Sequence, residues 1–198
     1  MPTPVTSIGA TRRWRSVMPL VMAVLLWCLP LPCAVSEQID EDRLKALFLY
    51  NFANYVTWPE STFKNQISPI NYCLLGYSRL KASMNEITAN EIINGRELRV
   101  VSVENEQQLS DCNILFIHQP AAGYPIELIQ RLASQSVLTV SDHPDFIPAG
   151  GSIVLLKKSH KIKLVVNMDA LDQGQLKVSS KLLRLATRVR PSKEGAKQ

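Results

Sequence analysis

Short apolar runs separated by polar turn residues set the rhythm of the chain. Ile70–Leu75, Leu98–Val103, Ile114–Ile117 and Val137–Val140 are rich in branched residues, and each reads as a buried strand. Helical stretches alternate with them at Ser78–Ala89 and Pro125–Ser134. In the second, Ile126, Ile129, Leu132 and Ala133 fall on one stripe and Leu128 falls off it. Such alternation predicts βαβ units and a mostly parallel sheet covered by helices on both faces. After Gly150-Gly151 the rhythm changes. Ser152–Lys157 and Lys161–Asn167 lie too close for a crossover and so predict an antiparallel hairpin. A last helix is expected after Ser179 or Ser180, with Leu182, Leu185, Ala186 and Val189 on one stripe. The fold class is therefore α/β: a three-layer, mostly parallel sheet with flanking helices and an antiparallel C-terminal hairpin at the edge.

Ahead of this alternation stands a helix expected over Asp42–Trp58 and ended by Pro59. Eleven of the 15 residues from Leu44 to Trp58 are apolar, and five of the eleven aromatics that follow residue 36 lie there. A helix apolar all round is either wedged against the sheet or shows a face to a partner. Tyr50, Tyr55 and Trp58 are the candidates for a protein interface, where such amphipathic rings are enriched.

The first 36 residues read as a cleaved export signal. Arg12, Arg13 and Arg15 precede the apolar stretch Val17–Leu31, and Ala34-Val35-Ser36 supplies small residues before Glu37. Pro19, Pro30 and Pro32 shorten the apolar stretch below the ~20 residues of a membrane span. The chain thus divides into a signal (1–36), one α/β domain (37–190) and a basic tail (191–198). Three of the 22 basic residues belong to the signal, which leaves 19 basic against 17 acidic side chains. A remainder so close to neutral carries no footprint for nucleic acid. Export also isolates Cys73 and Cys112, because Cys28 and Cys33 leave with the signal. In an oxidising compartment such a pair is most simply a disulfide, the alternative being two buried free thiols.

Ligands of open α/β sheets sit beyond the carboxyl ends of the strands. Ser78, His118, Asp142 and His143 fall there and mark a candidate small-ligand crevice. A hydrolase would use Ser78 as nucleophile, His118 as base and Asp142 as orienter. However, Ser78 lacks the second glycine of a nucleophile elbow, and polar strand ends are common to all such domains. No glycine-rich phosphate loop follows a strand, and the three His are dispersed. No catalytic residue, cofactor or metal is assigned.

The block from Leu44 to Pro59, LKALFLYNFANYVTWP, resembles the opening of the YfiR-like family of exported proteins. Cys112–Ile117, Val137–Asp142 running on to Gly150-Gly151, and Ser179–Ala186 resemble further blocks of that family in the same order. The resemblance implies a non-enzymatic periplasmic repressor that binds the sensor domain of an inner-membrane diguanylate cyclase and lowers cyclic di-GMP. It further implies sequestration by an outer-membrane lipoprotein, a possible homodimer, and a family disulfide at Cys73–Cys112. A second family cysteine pair has no counterpart here, since Asp142 to Ser152 contains no Cys.

Overall fold

The structure is a computed structural model that describes residues 40–76, 79–118, 126–158 and 161–191. Helix α1 (Glu41–Tyr55) starts where the Asp40 side chain accepts from the Asp42 amide, satisfying one of the unpaired N–H groups of the first turn. It ends three residues before the expected Trp58. The β-branched pair Val56-Thr57 leaves the helix as a short strand, β1, and pairs antiparallel with β9 (Lys177–Val178).

Among the described residues the main sheet has eight strands. β2 (Ile70–Leu75), β4 (Arg96–Ser102), β5 (Ile114–Ile117), β6 (Leu138–Ser141) and β7 (Ile153–Lys158) are parallel, in spatial order β4-β2-β5-β6-β7. The hairpin partner β8 (Lys161–Asn167) runs antiparallel to β7. The short β3 (Ile92–Ile93) borders β4 antiparallel at the far edge. Helices α2 (Arg79–Thr88) and α3 (Ile126–Ser134) occupy the expected intervals. A short α4 (Met168–Gln173), capped by Asn167, was not anticipated.

Strand alternation sorts the core into two layers. Tyr72, Leu74, Ile114, Phe116, Leu138, Val140, Ile153 and Leu155 pack with Leu49 and Phe52 of α1 and Leu80 and Met84 of α2. The intervening Cys73, Leu115, Ile117 and Val154 pack with Leu128, Ile129 and Leu132 of α3. Leu128 lies off the apolar stripe and is buried all the same. Between β6 and β7 the buried Thr139 and Ser152 hydroxyls lie 3.1 Å apart, and the Ser152 amide donates to Thr139 Oγ1, so neither is left unpaired.

The C-terminal helix is shorter than its sequence stripe. α5 covers Ser180–Leu185, capped by Ser179, and Ala186–Val189 forms strand β10 parallel to β8. The helical spacing of Leu182, Leu185, Ala186 and Val189 is overridden by the backbone hydrogen bonds that β8 offers along its open side, and Leu185 is left 75% exposed.

Gly151 marks a close approach between the loop before β7 and the turn after β6. A Cβ there would lie 2.2 Å from the ring of the fully buried Phe146. Gly151→Ala is therefore expected to cost about 1–3 kcal/mol, the usual penalty of overpacking, read as a lower urea midpoint at unchanged slope.

Candidate functional site

The spatial order β4-β2-β5-β6-β7 reads 2-1-3-4-5 in chain order, the flavodoxin-like arrangement, whose ligand crevice lies beyond the carboxyl ends of the strands where the order reverses. Alternation along β5 and β6 places His118 and Asp142, the residues just past each strand, on the face covered by α1. There the imidazole Nδ1 of His118 lies 3.0 and 3.2 Å from the two Asp142 carboxylate oxygens.

Lys45 of α1 completes the group. Its side chain is 7% exposed and its Nζ donates at 2.8 Å both to Asp142 and to Glu41, one helical turn earlier. Glu41 in turn accepts from Lys157 at the end of β7. Burial works against the Lys45 ammonium, but the hydrogen bonds to Asp142 and Glu41 outweigh it and hold its pKa above the ordinary lysine value. Hydrogen bonds from Lys157, then Lys45, hold the Glu41 carboxyl below the usual glutamate range.

His118 and Asp142 thus meet as the strand ends suggest, whereas His143 caps the next turn, its Nδ1 accepting from the Asp145 amide. Ser78 lies outside the described residues. The pattern missed Lys45, Glu41 and Lys157. Their signal was the i, i+4 pairing of Glu41 and Lys45, with Lys45 itself one turn before the buried Leu49. Asp142 carries a charge-neutralising ammonium. A hydrolase needs that carboxylate to stabilise an imidazolium, so the arrangement suits rigid charge placement better than turnover. Among the described residues no group of three His, Cys, Asp or Glu is placed to hold a metal.

The interface candidates sit on α1 and just past it. Tyr50 is half-buried; its hydroxyl donates to Glu91 at 3.0 Å, and that carboxylate raises its pKa. Tyr55 is half-buried, and its backbone carbonyl accepts from the Ser179 amide. Trp58 is 7% exposed and part of the core, and its indole N–H finds no partner among the described residues.

Cys73 and Cys112 are joined in a disulfide with Cα atoms 5.8 Å apart, inside the usual range. The bridge ties β2 to the residue leading into its parallel neighbour β5. At that end a polar concavity of about 430 Å³ opens, lined by Lys64, Asn71, Arg99, Asp111 and Asn113. Several of its polar groups are already engaged: Lys64 with Asp111 at 3.2 Å, and Asn71 with the Asp111 carbonyl and with Asn113. No helix among the described residues is long and apolar enough to cross a membrane.

The sheet order, with ion pairs bracing its strand-end crevice, defines a flavodoxin-like α/β domain. The chain belongs to the YfiR/HmsC-like family, whose model matches residues 42–187. This is a regulatory rather than a catalytic family.

Proposed function

We propose that the protein is an exported periplasmic repressor that binds the sensor domain of an inner-membrane diguanylate cyclase and holds the enzyme inactive. The family match over residues 42–187 carries this reading. The half-buried Tyr50 and Tyr55 supply amphipathic rings on an element whose other side is anchored in the core. Binding one state of the cyclase more tightly than the other shifts its population toward the inactive form. A thousandfold preference corresponds to about 4 kcal/mol, within reach of a small interface with a few aromatic anchors. An outer-membrane lipoprotein that captures the repressor would relieve the inhibition, and a homodimer is compatible with it.

Deleting the gene is expected to raise cellular cyclic di-GMP and surface attachment, and expression of the intact chain should restore both. An unchanged cyclic di-GMP level in a strain that carries the neighbouring cyclase would refute repression. A second reading, a module that senses a small ligand at the strand-end crevice, draws on the position of the half-exposed His118 beside Asp142. A thermal-shift screen of the purified protein tests it. Substituting Ser78 and His118 separates repression from a hydrolase: a hydrolase loses turnover, while a repressor keeps its partner affinity.

A further inference from the structure

Between residues 40 and 190 the 17 basic and 15 acidic side chains nearly balance, but they are strongly divided along the chain. From residue 40 to 145 there are 13 acidic and 8 basic side chains; from 146 to 190 there are two acidic and nine basic. The two acids of the second stretch, Asp169 and Asp172, both hold Arg190, and Lys157 is held by Glu41. The remaining cations of the hairpin have no such partner: Lys158, Lys161 and Lys163 are exposed, and none forms an ion pair among the described residues.

Their placement is costly for the fold. Lys158 and Lys161 are direct cross-strand partners, a like-charge pair that destabilises a hairpin. Lys163 follows two residues on, on the same face and ~7 Å along the strand, well inside a Debye length of ~10 Å at 0.1 M salt. β10 runs parallel to β8 with Ala186 beside Leu164, so Arg184 and Leu185 arrive at this same end of the sheet. Arg184 is exposed and Leu185 is 75% exposed. One end of the sheet therefore carries cations with no ion-pair partner among the described residues, around a protruding apolar side chain.

We propose that this end, formed by Lys158, Lys161, Lys163 and Arg184 around Leu185, docks on an anionic phospholipid surface. A row of lysines suits lipid phosphates, which move laterally to meet point charges. Gripping fixed carboxylates on a protein would favour the bidentate fork of Arg, and the hairpin itself has none. Leu185 supplies the apolar contact with the headgroup boundary that such surfaces use. The proposal does not depend on a cyclase partner.

The test is sedimentation of the purified protein with vesicles of equal phosphatidylglycerol and phosphatidylcholine, against pure phosphatidylcholine. Binding is expected with the anionic vesicles alone and to fall as salt rises. Each lysine near the surface contributes roughly fivefold. The triple variant Lys158→Gln, Lys161→Gln, Lys163→Gln should therefore partition about a hundredfold less while melting no lower than the native protein. A control with the same change in charge, Lys64→Gln, Lys81→Gln, Arg99→Gln, should stay within about twofold of native, a bound set by the screening length. Leu185→Ser should lose several-fold. The proposal is overturned if anionic vesicles fail to bind the native protein at low salt, or if the control loses as much as the hairpin variant. It is equally overturned if light scattering shows the hairpin lysines driving self-association through the acidic stretch of a second copy without vesicle binding.

Discussion

Asp142→Ala is expected to destabilise the protein by about 3 kcal/mol, because it strands the buried Lys45 ammonium with Glu41 as its remaining carboxylate partner. For a domain of this size that is a fall in Tm of roughly 6–12 °C, checked by thermal and urea melts. The double variant Lys45→Met, Asp142→Leu should recover most of the loss, since it removes both charges and leaves apolar volume in their place. If the losses of the two single variants simply add in the double, the ion pair is not the cause. The same network sets the pH response. Glu41, with its pKa depressed in the fold, contributes stability above the ordinary glutamate range of about 4.3, and this is lost as pH falls through its folded value. Lys45, with its pKa raised, contributes below the ordinary lysine value of about 10.4 and loses that contribution as pH rises through its folded value. Asp142→Ala removes the leading group that raises Lys45, so the alkaline loss should weaken in the variant while the acid loss through Glu41 persists.

The second large effect concerns the disulfide. Replacing Cys73 and Cys112 together by Ser should cost about 2–4 kcal/mol, since the bridge closes a loop of 39 residues in the unfolded chain. The far-UV circular dichroism spectrum should not change. Hydrogen bonds between β2 and β5 hold the native register whether or not the sulfurs are joined: Cys73 pairs with Leu115 through the backbone. Both cysteines are at most 3% exposed. Reduction of the native protein by dithiothreitol should therefore be slow and should accelerate sharply near the urea midpoint. Rapid reduction of the folded protein would contradict the burial of the bridge, and an unaltered midpoint in the double variant would show that it does not constrain the unfolded state.

The most legible elements were those whose local pattern and tertiary setting agree. Ile70–Leu75 and Ile114–Ile117 form strands over the expected residues, because branched apolar runs of that length fit a sheet covered on both faces, and Lys161–Asn167 does so as the return strand of the hairpin, its Lys161 and Lys163 left exposed. The α1 stretch was legible as a helix, though it ends at Tyr55 rather than Trp58. Its aromatics divide between the core, which takes Phe52 and Trp58, and the partly exposed Tyr50 and Tyr55. The C-terminal segment was misread where competing demands meet. Ala186 to Val189 continue a helical stripe, yet the open side of β8 offers a full row of backbone partners, and a helix could not satisfy them. At the site, His118 and Asp142 could be placed from strand ends, because a parallel sheet puts its loops together whatever their sequence.

The order of residues determined by itself the alternation of strand and helix and the family blocks from Leu44 to Ala186. Only the tertiary structure decided that Lys45 meets Asp142 at a sequence separation of 97 and that β10 covers β8. It likewise gathered the exposed lysines of the hairpin and the exposed Leu185 at one end. Local spacing governs which face a side chain takes on its own helix or strand. Which face of another element it then meets depends on how the sheet orders its strands, and that order is a property of the whole chain.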